Sequence, residues 1–313
     1  MAILIDPPRW PAHGTRWSHL VSDRSYDELH EFARALRLPR RAFDVDHYDV
    51  AESLYERAVA LGARPVSGTE LVRALIASGL RVSKRRNPEL VADRRLEYLV
   101  AEWRGLGERL DLAPSARRDD GGWASLGAEL LERWQEPHRR YHDARHLEDV
   151  LLALDHLALV DEAPTPASLL AAWFHDAVHR GAAGDDERDS AEIAAAALPR
   201  AGVDPALAIE VHDYVLATDG HSPGDGAPHG LRQLLDADLS ILGAGEPRYR
   251  AYTRSVREEY AHVPREAFRK GRARILEGFL ERPRIYRTGA GAALWEARAR
   301  RNLAGELAAL RRD

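Results

Sequence analysis

The chain has 313 residues, enough for one large or two ordinary domains, and its 45% hydrophobic content is normal for a globular protein. A net charge of −5 excludes a general electrostatic attraction to nucleic acid or to an anionic membrane. With no cysteine there is no disulfide framework, thiolate site or cysteine nucleophile, so any metal must be held by nitrogen and oxygen.

The opening Met1-Ala-Ile-Leu-Ile-Asp6 meets an acid and two prolines too early for a signal peptide, and no apolar run reaches membrane-spanning length, so a cytoplasmic protein is expected. Residues 2–5 suit a short buried strand ended by Asp6-Pro7-Pro8. Ser25-Tyr-Asp-Glu28 reads as a capping box, and Leu29, Phe32, Ala33 and Leu36 follow at helical spacing up to Pro39. A second strand is expected over Phe43 to Tyr48, a helix from Ala51 to Leu61 closed by Gly62, an extended Pro65-Val66, and a helix capped by Ser67 that runs to Ser78. This order predicts a small α/β domain over residues 1–82.

Residues 83–122 read as a polar linker: the basic Lys84-Arg85-Arg86, an arginine-rich helix near Pro88 to Leu110, and a connection from Pro114 to Gly122. A charge run of this kind is ordinarily a solvated face. From 123 to 313 the predicted elements are all helical: Trp123 to Gln135, Ala144 to Val160, Pro166 to Val178, Glu187 to Arg200, Pro205 to Thr218, Leu231 to Leu242, Arg248 to His262, Arg265 to Glu281 and Ala292 to Arg311. In the last of these, Trp295, Ala299, Leu303, Leu307 and Leu310 share a stripe that reads as core packing. The fold class is therefore α+β overall, a small α/β domain followed by an all-α domain.

The dipeptide His-Asp occurs three times, as His142-Asp143, His175-Asp176 and His212-Asp213. Only His175-Asp176 lies in a run apolar enough, Leu169-Leu-Ala-Ala-Trp-Phe174, to bury an imidazole and a carboxylate, which is costly unless something such as a metal satisfies them. Neighbouring helical residues point about 100° apart, so an ion needs further ligands from elsewhere. His146, at the head of an apolar stripe, and Asp238, inside Leu234-Leu-Asp-Ala-Asp-Leu-Ser-Ile-Leu242, are the candidates.

Arg140-Tyr-His-Asp-Ala-Arg-His146, Ala172-Trp-Phe-His-Asp176, Glu187-Arg-Asp-Ser-Ala191, Asp236-Ala-Asp-Leu239, Arg257-Glu-Glu-Tyr260 and Asn302-Leu resemble the HD superfamily, in particular its branch of predicted metal-dependent phosphohydrolases. The resemblance spans residues 123–313 and implies a helical domain in which His146, His175, Asp176 and Asp238 bind a divalent transition metal, with His142 one turn before His146 as a substitute. It also implies a small phosphorylated or nucleotide substrate and a reaction by metal-activated water. Glu187 matches an acidic position of the branch and is a candidate second-ion ligand, water-orienting group or general base; helix capping explains an acid there equally well. His221 is a candidate general acid or a solvated loop histidine. Arg139 and Arg140 are either guanidinium forks for a phosphate or surface residues.

Two departures stand out. Where the branch usually has tyrosine, this chain has His179, giving His-Asp-Ala-Val-His; the spacing resembles a zincin helix, but aspartate is one methylene shorter than the glutamate base that chemistry needs. The Glu-Asp dyad of guanosine-tetraphosphate hydrolases is replaced by Val178-His179, which argues against that substrate. The N-terminal residues Asp6-Pro-Pro-Arg-Trp10, Trp17-Ser-His-Leu20, Asp27-Glu-Leu-His30 and Asp46-His-Tyr-Asp49 resemble a bacterial domain of unknown function, DUF4031, and Asp6, His19, His30 and His47 are candidates for a second site.

The expected function is metal-dependent hydrolysis of a phosphate ester or nucleotide, with one or two ions of manganese, iron, cobalt, nickel or zinc. Glu187, His179 and His221 would manage protons and Arg139 and Arg140 would hold phosphate. Two alternatives stay open: an HD-type di-iron oxygenase in which His142, His179 and His221 complete the site, and a non-catalytic nucleotide sensor. No membrane or nucleic-acid partner is expected, and homo-oligomerisation is left open.

Overall fold

The computed structural model describes residues 2–12, 15–38, 42–82, 88–118, 122–182, 184–221, 224 and 226–312. The chain divides into two compact units, Met1–Glu102 and Trp103–Asp313. The basic triplet Lys84-Arg85-Arg86 lies outside the described residues.

The first unit is a mixed sheet between helices. Its segments are β1 (Ile3–Ile5), β2 (Trp10–Ala12), β3 (Thr15–Ser22), β4 (Tyr48–Ala51) and β5 (Arg64–Pro65). Central β3 pairs antiparallel with β1 and β2 along one edge and with β4 along the other: Leu20 faces both Ile5 and Tyr48, and Trp17 both Trp10 and Ala51. β5 adds to β1 in parallel. Because strand side chains alternate, Ile3, Ile5, Leu20, Tyr48 and Val50 pack on α1 (Tyr26–Ala35) and α2 (Glu52–Ala60), while Leu4, Val21 and Val66 pack on α3 (Gly68–Ala77). Ser25 caps α1, and Ser67 with Glu70 forms a capping box on α3.

The sequence reading omits β2 and β3 and places a strand at Phe43 to Tyr48, where Phe43 forms only an isolated bridge to Tyr48. β3 escapes because Ser18 and Ser22, both fully buried, interrupt the apolar alternation that marks a strand.

Helix α4 (Pro88–Arg109) runs across the boundary between the units. The second unit continues with α5 (Gly122–Trp134), α6 (Ala144–Ala158), α7 (Pro166–Phe174), α8 (Asp185–Arg200), α9 (Pro205–Leu216), α10 (His229–Asp238), α11 (Glu246–Glu259) and α12 (Arg265–Glu281). A short helical turn, α13 (Gly289–Gly291), then passes through a π-helical turn at Ala292–Glu296 into α14 (Ala297–Arg312). No strand occurs among its described residues, and none of the described helices is long and apolar enough to cross a membrane.

At the start of this unit the indoles of Trp103 and Trp123 stack with centroids 4.0 Å apart, and each N–H donates to the other's backbone carbonyl, at 2.7 and 2.9 Å. Helix α7 is the interior element: Ala167 through Phe174 are all buried, and Leu169, Leu170, Trp173 and Phe174 each contribute about 1.5–3 kcal/mol of apolar burial. It stops at Phe174 rather than at Val178, so His175 caps it and Asp176 stands beyond it. The next N–H groups leave the helical pattern: Ala177 donates to the Phe174 carbonyl and Val178 to the Ser190 hydroxyl, while Arg139 takes up the Asp176 and Ala177 oxygens.

Candidate metal centre

Three helix ends in the second unit bring together the four residues expected as ligands. Asp143 caps α6, accepting from the Arg145 and His146 N–H groups, and so fixes His146 in the first turn. His175 and Asp176 follow α7, and Asp238 ends α10. His146 Nε2 lies 3.1 Å from His175 Nε2, 3.0 Å from Asp238 Oδ1 and 3.6 Å from Asp176 Oδ2; His175 Nε2 lies 3.3 Å from Asp176 Oδ2 and 3.6 Å from Asp238 Oδ1.

The separations among His146, His175 and Asp238 fit one common ion, and Asp176 stands beside both imidazoles. Ligand atoms about 2.1 Å from a metal stand about 3.4 Å apart in a tetrahedron and about 3.0 Å apart as cis neighbours in an octahedron. The donor set fits as well. His175 Nδ1 is 2.9 Å from the Ala172 carbonyl, which only an N–H can satisfy, so its Nε2 is the atom turned to the other three ligands. The imidazoles are buried at 2% exposure and boxed by the Trp134 indole, while the carboxylate side chains remain 12–17% exposed and leave an open side.

The charges are mutually enforced. Burial works against the ionised form of Asp176, but His175 and then His142 and His146 hold its carboxyl far below the ordinary range. Asp238 is lowered in the same way, against burial, by His175, His146 and His221. Burial likewise opposes charge on His175, and the two carboxylates outweigh it and raise its pKa. The same field that retains a proton would retain a cation.

His221 reaches this cluster, with Nε2 2.6 Å from Asp238 Oδ2. His179 does not join it. Instead His179 Nε2 lies 2.9 Å, and His142 Nδ1 2.5 Å, from Oε1 of Glu259, whose Oε2 accepts from the backbone N–H groups of Arg140, Tyr141 and His142 at 2.7, 2.9 and 3.1 Å. The two rings are 4.1 Å apart, and His142 lies 5.5 Å from His146 between ring centroids. His142, His179 and Glu259 form a further triad able to hold an ion. Glu259 lies in the Arg257-Glu-Glu-Tyr260 segment of the HD resemblance but was assigned no role, since its run of charged residues looks like a solvated face.

Three further candidates take these places. The Arg139 side chain is fully buried, neither on the surface nor turned to solvent, and its guanidinium donates to the carbonyls of His142, Asp176 and Ala177 and to Glu136, tying the segment before α6 to the segment after α7. Arg140 is exposed, and its backbone N–H donates to Glu259. Glu187 serves as a cap, Oε2 accepting from Gly184 N–H at 2.5 Å at the start of α8, while the buried neighbour Asp186 accepts from the Arg180 and Ala182 N–H groups. Of the other His-Asp pairs, Asp143 caps α6, and His212 meets the exposed Asp213. In the first unit, His30 turns away from Asp6, His19 and His47 and bonds to the Tyr48 hydroxyl, at 3.1 Å from Nδ1.

The two units thus define a small α/β module joined to a helical module carrying an all-nitrogen-and-oxygen candidate metal centre. Residues 3–78 match the family model described as protein of unknown function (DUF4031), so the N-terminal unit carries that domain. The match ends before the helical unit begins. No curated protein and no solved structure matches the chain.

Proposed function

We propose that the helical unit is an HD-type metal-dependent phosphohydrolase acting on a small phosphate ester or nucleotide. The observation that carries the reading is the convergence of His146, His175, Asp176 and Asp238 from three sequence-distant helix ends, with the two imidazole Nε2 atoms 3.1 Å apart and each 3.0–3.6 Å from both carboxylates. A divalent transition-metal ion held there would lower the pKa of a bound water and polarise a phosphoryl oxygen. Trp134 and the Ala172 carbonyl fix the imidazoles, and His221 orients Asp238. Burial lowers the pKa of His142, which favours its neutral form; with Nδ1–H donated to Glu259, its other nitrogen is an acceptor placed to exchange protons near Asp176. His179, whose pKa Glu259 raises against burial, is the partner that carries the charge.

A second reading, the di-iron oxygenase, draws on the His142–His179–Glu259 triad beside the first cluster. Both Glu259 oxygens are already saturated by two imidazoles and three backbone N–H groups, so that triad is complete as a hydrogen-bonded unit and the hydrolase takes precedence. The test is a panel of phosphoesters and nucleotides with Mn²⁺, Co²⁺, Ni²⁺, Zn²⁺ or chelator, on wild type and Asp176→Ala. Metal-dependent phosphate release abolished by the substitution is the expected result; release that survives both chelator and substitution overturns the proposal.

A further inference from the structure

The N-terminal unit carries its own histidine–carboxylate cluster, on the face of the sheet opposite α1 and α2. His19 of β3 pairs directly with Asp49 of β4, so their side chains share that face. His47, just before β4, meets the His19 ring edge-on with centroids 5.0 Å apart. One ligand atom from each of His19, His47 and Asp49 lies within 4.8 Å of the others.

Each histidine has a buried carboxylate behind it. His19 Nδ1 is 3.0 Å from Asp6 Oδ2, and His47 Nδ1 is 2.7 Å from Asp46 Oδ1. Asp6 is 3% exposed and also accepts from His19 N–H at 2.5 Å; Asp46 is 1% exposed and also accepts from Val82 N–H and the Arg81 guanidinium, both at 2.8 Å. A carboxylate so held accepts, so Nδ1 of each ring carries hydrogen and Nε2 is left as the ligand atom, which is the carboxylate–histidine arrangement found behind metal-binding imidazoles. His47 Nε2 lies 3.4 Å from Asp49 Oδ1, the spacing of two ligands on one ion. Asp6 also lines a cleft of about 620 Å³ with Arg9, Trp10, Ser67 and Gly68, and the Trp10 indole packs against His19 at 5.4 Å.

We infer that the N-terminal unit binds a divalent transition-metal ion through His19, His47 and Asp49, with Asp6 and Asp46 orienting the two imidazoles. Two nitrogens and one carboxylate select zinc, cobalt, nickel or iron over calcium and magnesium, and three protein ligands leave a coordination position open, as in catalytic rather than structural sites. The site is independent of the helical centre.

The experiment uses the full chain carrying His175→Ala and Asp238→Ala, which leaves the helical centre two of its four candidate ligands, stripped with chelator and titrated with Co²⁺ and Zn²⁺ by visible absorption and calorimetry. One equivalent bound with a Kd below about 10 μM is expected, and His19→Ala or His47→Ala should weaken it at least a hundredfold. Asp6→Asn, which keeps the shape and removes the orienting charge, should weaken it about ten- to a hundredfold. Absence of a Co²⁺ band and of binding heat at 100 μM metal in that chain overturns the inference without reference to any N-terminal variant. Binding that persists unchanged when His19 and His47 are both replaced overturns it as well.

Discussion

Glu259→Gln isolates the network that holds the segment leading into α6. The glutamate side chain is 4% exposed and accepts five hydrogen bonds, three from consecutive backbone N–H groups and two from His142 and His179. Glutamine keeps the shape but loses the charge, and its NH₂ must face either the backbone donors or the imidazoles. The imidazoles can exchange tautomers and the backbone cannot, so the oxygen should stay with the backbone. Charge-assisted bonds of about 1.5–3 kcal/mol become neutral ones of about 0.5–1.5, and a net loss of about 3 kcal/mol is expected near pH 5.5.

The pH dependence of that loss identifies its origin. Burial would raise the pKa of Glu259, but His142 and His179 hold it far below the ordinary carboxylate range. A depressed folded-state pKa gives stability that is complete above the unfolded value of about 4.3 and declines below it by about 1.4 kcal/mol per pH unit. The gap between wild type and variant should therefore narrow by about 1.4 kcal/mol between pH 5.5 and pH 3.3. Urea unfolding in chelator, followed by tryptophan fluorescence, reads it, since five of the seven tryptophans lie in Trp103–Asp313. A gap under 1 kcal/mol at pH 5.5, or one that does not change with pH, refutes the reasoning.

Two further substitutions test how the helical unit is built. Arg139→Lys keeps the charge but cannot reach three carbonyls and Glu136 together, and should cost about 3 kcal/mol in urea unfolding; unchanged stability with a raised KM for a phosphoester would instead restore Arg139 as a substrate ligand. Gly127→Ala places a Cβ 2.2 Å from Cδ1 of Trp103, and should cost about 1–3 kcal/mol and weaken the near-ultraviolet circular dichroism of the stacked indoles. A melting temperature and spectrum equal to wild type would show that the stack yields without cost.

How far the sequence was legible depended on contrast with its surroundings. His175-Asp176 and Asp238 stand out because acids and imidazoles inside aliphatic runs are costly, and the structure brings them together. The roles of Arg139 and Glu259 were hidden by the opposite circumstance: each sits among other charged residues, and nothing local separates the buried one from its solvated neighbours. In the N-terminal unit Asp6, His19 and His47 were legible as chemistry, but Asp49 opposite His19 depends on the pairing of β3 with β4, a register that a strand with buried serines does not announce, and Asp46 is held by the distant Arg81 and Val82. The end of α7 was misplaced for a similar reason, because the group that draws the Val178 N–H out of the helix is a hydroxyl 12 residues further on, Ser190.

The backbone of Arg140, Tyr141 and His142 forms a nest, three successive N–H groups converging on one oxygen, of the kind that elsewhere receives phosphate or sulfate. Here the guest is permanent and endogenous, the carboxylate of Glu259. An anion hole beside the candidate ligands is thus spent on the fold itself. The proposed hydrolase would have to meet a substrate's negative charge with its cation and with arginines outside that loop.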